Sequence, residues 1–232
     1  MSIGEKYPMH SKILFALTLF LSLCGATRAE TLYETSFADG KWVRDDWKML
    51  KSARSGYLGR WIQREDRIVN FVPPEADIHS SWGTFTAMVL KRPFSGDVTI
   101  TAQCGFEQRM APGILVVAAP EPNEPEVPAP GEHFEIILYD NGLNIWHHYF
   151  ENGTQKWYNL ARLRANKLFA PGVPHTLTVR IFSRNGRRFI EVTGDGRTVG
   201  AYFPQMFPDH YRIGIVASEG DNFFGSVKIS RP

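Results

Sequence analysis

Glu135, His133, His148, Trp146 and Trp157 stand close together in one segment, Gly131–Leu160, which reads GEHFEIILYDNGLNIWHHYFENGTQKWYNL. A carboxylate beside an imidazole can act as general acid or base near neutral pH. Indole faces stack on the C–H faces of sugar rings while nearby amides take the hydroxyls. Asn144, Gln155 and Asn159 supply such amides. These residue types suit a flat, polar, ring-bearing ligand, either held or acted upon, provided that the backbone brings them to one surface.

The spacing predicts three consecutive strands joined by two Asn-Gly turns. Asn-Gly between alternating apolar runs is a strong hairpin signal, because a type I′ turn needs positive φ at both central residues. Asn141-Gly142 as the turn sets Tyr139 opposite Asn144, Ile137 opposite Trp146 and Glu135 opposite His148. Asn152-Gly153 sets Phe150 opposite Gln155, His148 opposite Trp157 and Trp146 opposite Asn159. Period-2 alternation then sorts the side chains. One face collects His133, Glu135, Ile137, Tyr139, Asn144, Trp146, His148, Phe150, Gln155, Trp157 and Asn159. The other collects Phe134, Ile136, Leu138, Ile145, His147, Tyr149, Lys156, Tyr158 and Leu160, the better core face in its first two strands. A core built from the first face would have to bury Glu135, His133 and three amides at high cost.

Two roles compete for the expected Glu135–His148 pair. It is either a cross-strand charge pair that holds register, or an acid–base pair for which Tyr139 and Arg162 complete a lyase-like set. In that set Arg162 neutralises a uronate carboxylate and Tyr139 or His148 moves the proton. For metals, Asp77, His79, Asp221 and Asn222 form no calcium-loop or zinc-spaced cluster. A structural calcium through Asp221 is the one cofactor considered, and no other is expected.

The chain has 232 residues, 43% of them hydrophobic. Its start reads as a secretory signal: Lys12, the apolar run Ile13–Leu23, then Gly25-Ala26-Thr27-Arg28-Ala29. The expected organisation is a signal peptide over 1–29 and one domain over 30–232. The apolar run is short for a transmembrane helix, so the expected location is secreted or periplasmic. A lipoprotein reading through Cys24 is disfavoured because Leu23 precedes it where a small residue belongs. The leader carries Lys6, Lys12, Arg28 and Glu5, so the formal charge of +2 falls to about zero without it. A basic field for nucleic acid is absent. Only Cys104 remains, so no intramolecular disulfide forms.

Further short β-rich runs recur: Phe85–Leu90, Val98–Cys104, Ile114–Ala118, Thr176–Phe182, Phe189–Thr193, Thr198–Phe203, Arg212–Ala217 and Gly225–Ile229. Ser95-Gly96-Asp97, Asn185-Gly186 and Gly194-Asp195-Gly196 punctuate them. This pattern predicts an all-β, two-sheet antiparallel jelly-roll sandwich. Pro120–Pro130, PEPNEPEVPAP, reads as a long rim loop. Residues 161–170, ARLRANKLFA, read as a helical turn or irregular crossover.

The opening LYETSFADGKWVRDDWKML resembles the first strand of bacterial concanavalin A-like (laminin G-like) jelly rolls, and RIGIVASEGDNFFGSVKIS resembles their final strand pair. The middle, TFTAMVLKRPFSGDVTITAQCGF, PGILVVAA, GEHFEIILYDNGLNIWHHYF and NLARLRANKLF, is similar to an uncharacterised bacterial jelly-roll family whose members occur beside enzymes of pectin or rhamnogalacturonan breakdown. That resemblance implies a grooved sheet and a carbohydrate role. It supplies no catalytic residues. Laminarinase-type glycosidases on this fold carry an E-x-D-x-x-E strand, whereas here Glu132 and Glu135 point to opposite faces and cannot flank one bond. Tyr149-Phe150-Glu151-Asn152-Gly153 echoes the tyrosine strand of alginate-lyase-like jelly rolls, but Asn152-Gly153 reads as a turn.

Three functions follow as expectations. The first is binding of a poly- or oligosaccharide, with Trp146 and Trp157 stacking and Asn144, Asn159, Gln155 and His133 in polar contact. The second is a polysaccharide lyase or glycoside hydrolase using Glu135, His148, Tyr139 and Arg162. The third is a structural or adhesive domain that meets protein.

Overall fold

The computed structural model describes residues 29–53, 55–79, 83–108, 111–119, 129–202 and 207–232, without the side chains of 201 and 202. The expected signal peptide and residues 120–128 of the Pro-rich loop lie outside the described residues. Short apolar runs between turn residues become sixteen strands: β1 (Glu30–Ser36), β2 (Trp47–Leu50), β3 (Trp61–Arg64), β4 (Arg67–Asn70), β5 (Thr86–Leu90), β6 (Phe94–Ser95), β7 (Val98–Phe106), β8 (Pro112–Ala118), β9 (His133–Tyr139), β10 (Gly142–Glu151), β11 (Thr154–Arg164), β12 (His175–Arg184), β13 (Arg187–Gly194), β14 (Arg197–Tyr202), β15 (His210–Ala217) and β16 (Asn222–Arg231). Among the described residues the helical content is one 3-10 turn, Arg44–Asp46, and no helix is long and apolar enough to cross a membrane.

The strands form two antiparallel sheets. One runs β14-β13-β12-β7-β16-β4-β3 with β1 against β16; the other runs β11-β10-β9-β8-β15-β5-β2 with β6 against β15. The main core lies between them. Phe134, Ile136, Leu138, Leu143 and Ile145 of the second sheet meet Ile100, Ala102, Leu177 and Val179 of the first, all fully or almost fully buried. Each of these side chains larger than alanine contributes roughly 1.5–3 kcal/mol on burial. A second apolar cluster sits on the opposite face of the second sheet, with Leu115, Val117, Ile137, Ala87, Val89 and Val216 buried and Trp146 packed against them. The site face therefore rests on its own hydrophobic support.

The second turn has the expected geometry. Asn152 and Gly153 take φ of 50° and 73°, and Phe150 faces Gln155, His148 faces Trp157 and Trp146 faces Asn159. The first hairpin differs from expectation. Asp140 and Asn141 are its turn residues, so Tyr139 faces Gly142, Trp146 faces Glu135 and His148 faces His133. Asn141 and Gly142 serve the neighbouring loop and strand instead. Ala165 N–H donates to the Asn141 carbonyl at 2.8 Å, and Lys167 N–H donates to Asn141 Oδ1 at 2.9 Å. A Cβ on Gly142 would collide with the Leu163 carbonyl of β11. The slip is two residues, so both faces keep their members.

Residues 161–164 are not a helical turn or crossover, because β11 continues through them to Arg164. A bulge at Leu160 explains the altered parity: Trp146 faces Asn159, but Ile145 faces Ala161 and Asn144 faces Arg162. Ala161 and Leu163 thereby pack against the main core, and Arg162 passes to the face of Asn144. The end of the expected strand Thr198–Phe203 lies partly outside the described residues.

Candidate functional site

Strands β9, β10 and β11 form a meander at one edge of the second sheet. Its outer face carries His133, Glu135, Ile137 and Tyr139 from β9, Asn144, Trp146 and His148 from β10, and Gln155, Trp157, Asn159 and Arg162 from β11. Glu135 meets His148 diagonally, not directly across the hairpin. His148 Nε2 lies 3.6 Å from Glu135 Oε2, and His133 Nε2 lies 3.5 Å from Glu135 Oε1. The two imidazoles stack, with centroids 4.5 Å apart and planes 12° from parallel. Glu135 is only 9% exposed, and both histidines are buried. His133 Nδ1–H donates to the Gly131 carbonyl at 2.6 Å.

A cavity of about 200 Å³ opens beside this cluster. Glu135, Tyr139, Asn144, Trp146, His148 and Trp157 line it from the meander, and Ala111, Ser218 and Glu219 close it from other elements. A smaller chamber of about 30 Å³ adjoins it, lined by His133, Glu135, His148 and Gln155 with Ser52, Phe85, Pro130 and Ser218. Trp157 is 50% exposed, and Phe150, on the same face, is exposed beside it. Among the described residues, three amide atoms on this face are buried without a hydrogen-bond partner: Asn144 Oδ1, Gln155 Oε1 and Asn159 Nδ2.

The structure thus brings His133, Glu135, His148, Tyr139, Trp146, Trp157, Asn144 and Gln155 to the two adjoining spaces. Asn159 and Arg162 share the face without lining either one. Glu132 points the other way, as its parity requires: its carboxylate receives His147 Nε2 at 2.8 Å, and His147 Nδ1 meets Tyr158 Oη at 3.0 Å. Burial pushes the His147 imidazole below its ordinary value, against the opposing pull of Glu132. Tyr149 stacks on His147 on that inner side, so the alginate-lyase echo places no tyrosine on the site face.

Glu219 and Ser218 escaped sequence reasoning because only tertiary structure carries the end of β15 to the cavity. Their loop is firmly held. Asn70 Nδ2 donates to the Gly220 carbonyl at 2.8 Å, Asn222 N–H donates to Asn70 Oδ1 at 2.7 Å, and Ser218 N–H donates to the Ala111 carbonyl at 3.1 Å. Asn222 Nδ2 donates to the Glu219 carbonyl, so Asn222 holds the turn. Asp77 Oδ1 likewise accepts His79 N–H at 2.9 Å in a local turn. Among the described residues, the three donor side chains within reach of a single ion are His133, Glu135 and His148; Asp77, His79 and Asp221 belong to no such group.

No protein-family model matches this chain, and no curated protein matches it. Solved structures do. A protein of unknown function with a galectin-like fold from Bacillus subtilis aligns at TM-score 0.59 and 11% identity, covering 87% of this chain and 96% of that one. The carbohydrate binding module CBM66 from Bacillus subtilis aligns at TM-score 0.55 and 12% identity, covering 80% and 95%. A glycoside hydrolase family 16 endo-glucanase from Bacteroides ovatus aligns at TM-score 0.56 and 11% identity, covering 85% and 99%. At these identities the likeness establishes the fold. It is a concanavalin A-like or galectin-like jelly-roll sandwich. One fold of this kind hosts many functions, so activity has to be argued from the site.

Proposed function

We propose that this chain is a secreted or periplasmic carbohydrate-binding protein that holds a poly- or oligosaccharide on the outer face of the β9–β10–β11 meander. One observation carries the reading. Trp146 and Trp157 flank a cavity of about 200 Å³ that Glu135, Asn144, His148, Ser218 and Glu219 line beside Ala111, Ile137 and Tyr139, on a face where, among the described residues, three buried amide atoms lack partners. An unsatisfied buried polar atom costs about 1–3 kcal/mol, and sugar hydroxyls, which both donate and accept, recover that cost. Indoles beside such amides match a ring with apolar C–H faces and a polar rim. The structural likeness to a carbohydrate binding module supports the same reading.

For the sugar class we favour acidic pectic or rhamnogalacturonan polymers. The sequence resemblance points there, and Arg162, opposite Asn144 on this face and outside both cavities, would pair with a uronate carboxylate of a chain that extends past them. The test is binding to a panel of pectic, algal and neutral polymers, repeated with Trp146→Ala, Trp157→Ala and Arg162→Ala. Binding that survives both tryptophan changes would exclude this face. Preference for neutral glucans, with Arg162→Ala silent, would remove the pectic assignment alone.

A second reading is catalytic. Glu219, a second acidic residue, lines the cavity that Glu135, Tyr139 and His148 also line. Two carboxylates on one cavity suit hydrolysis, and a carboxylate or imidazole with a tyrosine suits proton abstraction in a lyase. New reducing ends, or unsaturated products absorbing in the ultraviolet, that vanish in Glu135→Gln and Glu219→Gln would establish it.

A further inference from the structure

We infer that His133, Glu135 and His148 form a binding site for a divalent transition-metal ion of the zinc class. A carbonyl oxygen only accepts, so the 2.6 Å contact to Gly131 places the His133 proton on Nδ1. The other ring nitrogen, Nε2, faces Glu135 Oε1 at 3.5 Å. A positive charge shared between the two, a proton or an ion, suits that pairing. A proton bridges two groups. Here a third donor converges on the same carboxylate, since His148 Nε2 lies 3.6 Å from Oε2.

The distances suit an ion. Donors about 2.1 Å from a tetrahedral zinc stand roughly 3.4 Å from one another, close to both measured histidine–carboxylate separations. The donor atoms of all three residues lie within 4.8 Å of one another. Closing the remaining edge needs the rings to leave their stack, because an imidazole lone pair lies in its ring plane and near-parallel planes cannot both aim at one ion. Gly131 anchors His133, so that movement falls to His148. A backbone carbonyl on the remote nitrogen is the usual outer support of a metal-bound histidine, fixing tautomer and ring plane. Two imidazoles and one carboxylate leave a coordination position open, and they suit zinc and its first-row neighbours better than calcium or magnesium.

The surroundings complete the site. The adjoining chamber of about 30 Å³ has these three side chains in its wall, room for an ion-bound water. Gln155 lines the same chamber, and its Oε1 is buried with no hydrogen-bond partner among the described residues, so it can accept from that water. The larger cavity shares Glu135 and His148 with this chamber, so a ligand hydroxyl or carboxylate held there would take that water's place.

The site is tested without any saccharide, so its failure and that of the sugar reading are separable. Untagged protein is stripped with a chelator and titrated with Zn²⁺ by calorimetry and with Co²⁺ by visible absorption. One ion per chain is expected, with cobalt bands that zinc displaces. Glu135→Gln, His133→Gln and His148→Ala should each weaken binding at least tenfold while circular dichroism remains native. Histidine side-chain ¹⁵N spectra of the unaltered protein provide a measurement independent of any variant: Nε2 of His133 and of His148 should both move on adding Zn²⁺. Absent cobalt bands, unmoved Nε2 resonances, or undiminished binding in a folded variant would each overturn the assignment.

Discussion

Replacing Trp157 by Ala gives the sharpest test of the sugar face, because Trp157 supports the fold least among the aromatic residues at the cavity. It is 50% exposed, whereas Trp146 packs on the second apolar cluster. A tryptophan side chain presents about 150–250 Å², so roughly 100 Å² of Trp157 faces solvent. A sugar ring stacked on one side covers about half of that. At about 25 cal/mol per Å² the contact contributes on the order of 1.3 kcal/mol, close to a tenfold change in Kd. Loss at the exposed position should cost folding no more than about 1 kcal/mol. The assay is calorimetric titration of the best polymer fragment from the panel, paired with urea unfolding of both proteins. The expected result is a tenfold weaker Kd with a nearly unchanged unfolding midpoint. An unchanged Kd in a folded variant would refute the stacking argument, whatever else binds.

Three further outcomes follow from the fold. Gly142→Ala should lower stability by about 1–3 kcal/mol in urea unfolding, since its Cβ meets backbone of β11 that cannot yield; an unchanged midpoint would contradict the observed register. Cys104 is fully buried, and burial pushes its thiol well up, so peptide mapping should find it unlabelled by a thiol reagent in native protein and labelled in guanidinium. Tyr33, raised to about 12 by burial and then by Asp46, keeps its proton in the folded state where the unfolded chain loses it near pH 10. Its contribution is therefore complete below pH 10 and lost as pH rises toward 12. Stability should fall more steeply over that range in the unaltered protein than in Tyr33→Phe, and parallel slopes would disprove the assignment.

Much of the site was legible before folding, and the reason is local. Alternation with period 2 depends on the chain alone, so the residues of β9 and β10 sorted correctly even though their hairpin register did not. Asn152-Gly153 was readable because its positive φ values are the turn's own requirement. Asn141-Gly142 misled because the same two residue types answered a tertiary demand. Gly142 clears space for the Leu163 carbonyl, and Asn141 ties down residues 165 and 167. Strand β11 shows the limit most plainly. Nothing in Asn159-Leu160-Ala161-Arg162 announces a bulge, yet the bulge turns Arg162 toward the ligand face.

The sequence by itself determined an all-β chain, the membership of the two faces of β9 and β10, and the aromatic, acidic and His-bearing character of one of them. Those properties follow from residue type and alternation. Only the tertiary structure decided that His133 would stack on His148 and turn both Nε2 atoms toward Glu135, and that Ser218 and Glu219 would close the cavity. These contacts depend on register, on a bulge and on loops pinned by distant partners such as Asn70. Each is settled by packing between segments far apart in the chain, which local pattern does not encode.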